Sequence, residues 1–513
     1  MRREKALKNI KISFIFYFIT IIFSFISRSY FIKLLGADIT GFNNLIISLL
    51  GFLNIAELGV AMAITYALYE PLRNKDYDRL NEIMVLFKFY YIRIGKFIFI
   101  GGIILSFALN LFVKNQIPLT SAYIYYYLFL INSSLSYFFS YKEALISADQ
   151  KQYITTIINN TTKVIKTIIQ IILLIYTKSY LIWLIIELVA NIIYWILITK
   201  KVNELYPYIS FKSDKDIKDI KSENKFIVKA IKEVFFHKIA AFIVNQTDSI
   251  LISLFLTLKQ TAIYGNYMMI VNNVSSLIGT VMNSFKGSVG DLVAENNKEK
   301  TYSVYKQLYI VDNVLGIIIS FSVYKVINYF MVLWVGQEYI FDMNIVLVML
   351  INLYIQIARS STEKFKESYG IFWDVWAPVI EGAINLVISL FLIKKMGIIG
   401  LFIGTLISNI TVVLLWKPYV VYHYGLNVKF FEYIKIATNV LVNNIIIISL
   451  SNYFIQYIEN NLVWGTLTFV NFIVYSIIIF IIICLITFIV FMFNGSFRDL
   501  VRYYTGRVFS KSK

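Results

Sequence analysis

Cysteine is nearly missing from this chain. Cys484 is the only one in 513 residues, so no disulfide can form within the molecule. Histidine is as scarce: His237 and His423 stand alone, which leaves no set of residues for a Cys/His metal cluster. Charge is low as well. Asp, Glu, Lys and Arg make up 15% of the residues, where a soluble domain carries about 25%. No GxxxxGK[ST] loop occurs, so there is no sign of a built-in ATPase. Neither a cofactor nor a metal is implied.

What fills the chain is apolar. Hydrophobic residues make up 58% of it, and the mean hydropathy is +0.70. A helix crosses a bilayer with about 20 apolar residues. About fourteen stretches between 12 and 492 meet that length, which predicts an all-α polytopic membrane protein. In the third stretch, 84–112, Lys88, Arg93 and Lys96 occupy the first half, and their long stems let them snorkel to the surface. Met1–Lys11 is basic and leads into an apolar run too long for a cleaved signal, so the first span is expected to stay as a helix. With the N-terminus inside, the inner loops and tails carry 32 Lys and Arg and the outer loops 7. The positive-inside rule then predicts that both termini are cytoplasmic. The net charge of +18 becomes a topology signal rather than a nucleic-acid footprint. The outer loops are short. A membrane polymerase or ligase needs a sizeable outer loop, so the chain reads as a transporter and not an enzyme.

The longest polar stretch, 200–233, carries apolar residues at helical spacing from Ile217 onward and predicts an amphipathic helix on the inner membrane surface. A weak repeat straddles it. Leu35-Gly-Ala-Asp-Ile-Thr-Gly41 matches the run from Leu258 to Gly265, the polar run Asn74–Tyr77 matches Asn297–Tyr302, and Asn191 matches Asn409. The repeat predicts two pseudo-symmetric six-helix lobes around a central cavity, 1–199 and 234–420, joined by the linker 200–233. Two further spans and a basic tail occupy 421–513.

Four stretches carry a family resemblance. They are Leu34–Asn43 with Ala56-Glu57-Leu58-Gly59 and Tyr69–Leu72; Ala148–Tyr153 with Lys166–Gln170; His237-Lys238-Ile239 with Thr247-Asp248 and Tyr264–Tyr267; and Ala377–Leu386 with Gly404–Ser408 and Trp416–Tyr419. In this order the chain resembles the Wzx-type oligosaccharide flippases of the multidrug/oligosaccharidyl-lipid/polysaccharide (MOP) superfamily. The resemblance implies alternating access between two lobes. It also implies a lipid-diphosphate-linked oligosaccharide as cargo, moved across a bacterial cytoplasmic membrane. H+ or Na+ is the expected coupling ion. A polysaccharide polymerase and glycosyltransferases are the expected partners, along with membrane lipids. A cation antiporter of the same fold is the alternative, and acidic cavities would favour it.

Charges inside the spans locate the candidate site. A charge facing lipid at mid-bilayer costs about 2.5–3.5 kcal/mol, so these groups are expected to face a wet interior. Lys163 and Lys166 share one helix face and suit a diphosphate, with Arg28 as a further cation for an anionic cargo; the competing reading pairs Lys166 with Glu187, supported by Gln170. Arg28 and Asp248 occupy equivalent first helices of the two lobes and are expected to face each other, with Asp248 as an ion site or plain packing polarity as alternatives. Glu57 is expected to support an irregularity near Gly59 or to take part in coupling. Lys238 either snorkels or gates, and His237 is read as structural. Pro378 predicts a kink, with Glu381 lining the cavity or satisfying the freed backbone. Gly36, Gly41 and Gly265 are read as turn glycines. The Tyr125–Tyr127 and Phe138–Phe139 clusters are read as interface belts.

Overall fold

The computed structural model describes residues 2–57, 60–229, 231, 247–461 and 468–510. Every regular element among them is helical. Nine of the described helices are long and apolar enough to cross a membrane, and the chain is a multi-pass membrane protein. It divides into two compact units, Met1–Gly265 and Asn266–Lys513.

The first unit opens with α1, Arg2–Leu53, which holds two predicted spans in one element. They join without a loop at Gly36, whose φ of +83° and ψ of 174° suit a residue with no Cβ. Gly41 and Gly265 are not turn glycines. Both lie inside helices at close approaches: a Cβ on Gly41 would fall 1.8 Å from the Leu258 carbonyl oxygen, and one on Gly265 would fall 2.0 Å from Asn44 Nδ2. A short 3₁₀ turn, Asn54–Glu57, interrupts the second span, and Gly59 lies outside the described residues. Then follow α2 (Val60–Asn74), α3 (Tyr77–Ser106), α4 (Leu109–Val113), α5 (Leu119–Tyr137), α6 (Tyr141–Ala148), α7 (Gln152–Thr177) and α8 (Tyr180–Leu205). α9 covers Ile217–Glu223, and α10 is helical over 247–255. α11 (Leu258–Asn283) passes from the first unit to the second.

The linker is part of the first unit's core. Ile220 and Ile227 are fully buried there. Asn81 at the start of α3 accepts from the Phe211 backbone N–H (3.0 Å) and donates to the Lys212 carbonyl (2.6 Å). Lys215 bridges Glu82 (2.8 Å) and Glu223 (3.0 Å), and the two carboxylates raise its pKa above the ordinary lysine value. The apolar side of the linker thus packs on protein. The tyrosine cluster is likewise not a lipid belt throughout. Tyr126 is fully buried and donates to the Gly102 carbonyl at 2.7 Å, and Tyr125 meets Tyr180 edge-on.

The second unit contains α12 (Lys286–Ala294), α13 (Lys298–Trp334), α14 (Met343–Ala358), α15 (Ser360–Ser368), α16 (Trp376–Met396) and α17 (Ile398–Ser408). Beyond α17 the chain continues as π-helix over Asn409–Trp416, as α18 (Lys417–Val420), and as π-helix again over Val421–Leu426. The Leu414 carbonyl, within the first π segment, accepts a hydrogen bond from Tyr433 at 2.8 Å. α19 (Phe430–Asn461), α20 (Phe469–Met492) and α21 (Gly495–Ser510) complete the chain. Pro378 sits in the first turn of α16, where its missing N–H would have no helical partner, so it produces no kink.

In lipid, packing one helix against another gains little from leaving solvent, so close fit and interhelical hydrogen bonds carry much of the association. The segments matched in the sequence make similar local bonds in the two units, two of them helix caps and two of them between helices. Asp76 caps α3 by accepting from Arg79 N, and Asn297 caps α13 by accepting from Lys300 N, both at 3.0 Å. Asn191 on α8 donates to Asn132 on α5 at 2.9 Å, and Asn409 donates to Asn352 on α14 at 3.0 Å.

Candidate functional site

α7 is a membrane-length helix with a polar stripe. Gln152, Thr156, Asn159, Lys163, Lys166 and Gln170 recur at spacings of three and four, so they fall within roughly a quarter-turn of arc along about 27 Å of helix. At its far end the stripe meets α8. Lys166 Nζ contacts Glu187 Oε1 at 2.6 Å. Gln170 Nε2 donates to Glu187 Oε2 at 3.0 Å and to the Trp183 carbonyl at 3.1 Å. Glu187 therefore has both oxygens engaged. One turn back, Lys163 is exposed, and no carboxylate among the described residues lies within ion-pair distance of it. Arg28 lies on α1, three residues before Phe31, whose ring meets Tyr180 and Trp183 at the head of α8. Tyr180 in turn donates to Asn43 at 3.0 Å.

The second unit builds the same hairpin from α16 and α17. Asn385 Nδ2 donates to Thr405 Oγ1 at 2.8 Å, where the first unit has Lys166 and Glu187. Ser389 Oγ donates to the Leu401 carbonyl at 3.3 Å, where the first unit has Gln170 and the Trp183 carbonyl. The helix gap sets the side-chain length. Gly400 and Gly404 let α17 approach α16 closely, with Ser389 Oγ only 2.2 Å from where a Cβ on Gly404 would be. At the matching places α8 carries Ile182 and Ile186. Without glycines at these places, longer side chains in the first clasp are expected; this does not account for their charge.

Other expected residues fall elsewhere. Asp248 on α10 accepts from Tyr264 at 2.8 Å, its second oxygen is buried without a partner among the described residues, and no ion pair joins it to Arg28. Glu57 accepts from Tyr91 (2.6 Å) and Tyr137 (2.8 Å), one tyrosine on each oxygen. Lys238 and His237 lie outside the described residues. Glu381, expected to line the cavity or to satisfy the backbone freed by Pro378, makes ion pairs within the second unit. It belongs to a ring of four alternating charges: Lys417 lies 3.5 Å from Glu381 and 3.1 Å from Glu363, and Arg359 lies 3.3 Å from Glu363 and 4.0 Å from Glu381.

That ring and its surroundings escape the sequence reading. Asp374, almost fully buried, pairs with Lys366 and accepts from Trp416 Nε1 at 3.3 Å. Asp312 is 1% exposed and accepts from both the backbone N–H and the hydroxyl of Ser361. Its place inside the apolar run 304–330 is the signal that could have found it. Arg359, Glu363 and Lys366 look like ordinary loop charges between two spans, and nothing local marks them as partners.

No protein-family model matches the chain, and no curated protein sequence matches it either. Solved structures do. One described as the lipid II flippase MurJ in an inward closed conformation aligns with a TM-score of 0.66 at 16% identity, over 96% of this chain and 99% of that one. An inward-facing multidrug resistance MATE family transporter of the MOP superfamily aligns with a TM-score of 0.56 at 13% identity, over 80% of this chain and 97% of that one. At these identities the likeness concerns the fold alone: the chain is a multi-pass membrane protein, helical throughout the regular elements of its described residues, and it shares its fold with these structures.

Proposed function

We propose that this chain is a flippase that moves an undecaprenyl-diphosphate-linked oligosaccharide from the inner to the outer leaflet of a bacterial cytoplasmic membrane. The product serves a surface polysaccharide such as O-antigen, capsule or exopolysaccharide. The observation that carries the reading is the clasp between α7 and α8. The second hairpin closes with Asn and Thr, so a hairpin of this kind does not need charge to close. The first hairpin places an ion pair there and adds an unpaired lysine one turn away.

The chemistry follows from that arrangement. A diphosphate docking on the open Lys163 ammonium arrives one helical turn from Lys166. Two opposite charges 4 Å apart attract by about 4 kcal/mol at an effective dielectric of 20, so the diphosphate and Glu187 offer Lys166 comparable attractions. Lys166 can pass from one to the other at small net cost, while Gln170 keeps hold of Glu187. Arg28 on the neighbouring helix supplies a further cation. Asp248, with one buried oxygen unpartnered among the described residues, is assigned to coupling with H+ or Na+. Both termini are placed in the cytoplasm by the distribution of Lys and Arg, and glycosyltransferases and a polymerase act before and after the step.

The test is a Lys163→Ala/Lys166→Ala variant replacing the native chain in its source cells. The expected result is loss of surface polysaccharide and accumulation of the lipid-linked intermediate, with the protein at its native level. Normal export at that level would sink the diphosphate assignment.

A further inference from the structure

The lysines occupy only part of the α7 stripe, and its uncharged part has a separate meaning. Polar residues just off the stripe bond back to their own helix: Thr155 to the Gln152 carbonyl (2.8 Å), Asn160 to the Thr156 carbonyl (2.8 Å) and Thr167 to the Lys163 carbonyl (2.8 Å). The on-stripe residues do not. Among the described residues, the side chains of Gln152, Thr156 and Asn159 make no hydrogen bond, and Gln152 and Asn159 are exposed. Unsatisfied amides and hydroxyls are not left facing hydrocarbon, so this face is expected to meet water or a polar ligand.

The second unit again serves as the control. In the register set by Lys166 with Asn385 and Gln170 with Ser389, the positions of Asn159 and Lys163 hold Pro378 and Gly382 on α16, which begins at Trp376 and so has no helical counterpart of Gln152 or Thr156. Neither Pro378 nor Gly382 has a polar side chain. The stripe is therefore a property of one hairpin and not of the fold.

We infer that Gln152, Thr156 and Asn159 form a glycan track on α7, which reads sugar hydroxyls while Lys163 and Lys166 hold the diphosphate. The inference rests on the flippase reading above. Amide and hydroxyl groups both donate and accept, as sugar hydroxyls do, and without charge they add nothing to diphosphate binding. Asn159 is the member nearest the lysines, one turn from Lys163, so a sugar bonded to it stays within reach of a diphosphate on the lysine. In this scheme the lysines set affinity for any prenyl diphosphate, and the track sets which glycan is carried.

Two probes separate the roles, both bound to purified full-length protein in nanodiscs. One is undecaprenyl diphosphate without sugar; the other is the lipid-linked oligosaccharide that accumulates in source cells lacking this chain. Asn159→Leu is expected to weaken binding of the second about tenfold, as expected for losing one or two hydrogen bonds, and to leave the first unchanged. Asn159→Gln, which keeps the amide, is expected to recover most of the loss, and Thr156→Val guards against a folding defect in Asn159→Leu. If these apolar variants weaken both probes equally, or neither, the glycan track is wrong while the flippase reading stands. If the native protein binds neither probe, or no such lipid accumulates, the flippase reading fails first and the track with it.

Discussion

Neutralising the clasp without shortening it separates its structural from its transport role. In Glu187→Gln, Lys166 keeps its charge but loses its carboxylate; in Lys166→Gln, Glu187 keeps only Gln170. Removing one partner of a buried ion pair costs about 3–5 kcal/mol. Here the two side chains are 14% and 25% exposed, so solvent screening brings the expected cost of each single change to about 1–2 kcal/mol. The double variant Lys166→Gln/Glu187→Gln restores a neutral hydrogen-bonded pair of nearly the original length, worth about 1 kcal/mol. It is expected to lie within about 1 kcal/mol of the native protein, a coupling of about 1–4 kcal/mol between the sites. Thermal unfolding of the four proteins in one detergent measures the cycle. Polysaccharide export measures function, and the double variant is expected to fold and yet to export poorly. Additive destabilisation would show that charge is structural here. Full export by the double variant would remove Lys166 from the cargo site.

Glu57 is expected to be held in place by its tyrosines. Tyr91→Phe and Tyr137→Phe should each cost about 1.5–3 kcal/mol, the range for hydrogen bonds to a charged group, with export per folded molecule unchanged; a loss of export at normal stability would return Glu57 to coupling. Asp312→Ala is expected to destabilise the second unit by about 2–3 kcal/mol, because it strands the Ser361 N–H in a buried place, and a melting curve checks it. The Lys215 bridge makes linker docking pH-dependent. Its pKa is raised in the folded state, so its contribution is full below the ordinary lysine value and is lost as pH rises through the elevated one. Limited proteolysis within 205–231 should therefore accelerate at strongly alkaline pH, and Lys215→Ala should abolish that acceleration.

The fold was more legible in this sequence than the site. Apolar run length alone marks most of the long helices, and the match of Asn191 with Asn409 points to two equivalent interhelical bonds. Similar depth on adjoining helices was enough to bring Lys166 and Glu187 together on paper. Other features depend on facts that periodicity does not carry. The 3₁₀ turn at Asn54–Glu57 lies within an unbroken apolar pattern. Pro378 reads as a kink until the start of α16 is fixed at Trp376. The four-charge ring draws on α15, α16 and the junction at α18, and a sequence does not say which helix ends meet. The polar stripe on α7 was available from spacing, but the lysines alone drew attention, because an amide in a membrane helix costs less than a charge and stands out less.

The open ammonium of Lys163 has a consequence for energy supply. The Lys166–Glu187 pair and the ring around Glu381 each balance their charges, so the membrane voltage does no net work on them. Lys163 is unbalanced, and moving one charge through the field is worth about 2.3 kcal/mol per 100 mV. In the flippase reading, and in a cell that is negative inside, an empty carrier with this lysine is drawn toward the inward-facing state, ready to load. In that reading a bound diphosphate offsets the charge of the lysine, and the loaded carrier is freed from the inward pull. One unpaired side chain thus lets the voltage return the empty carrier and release the loaded one.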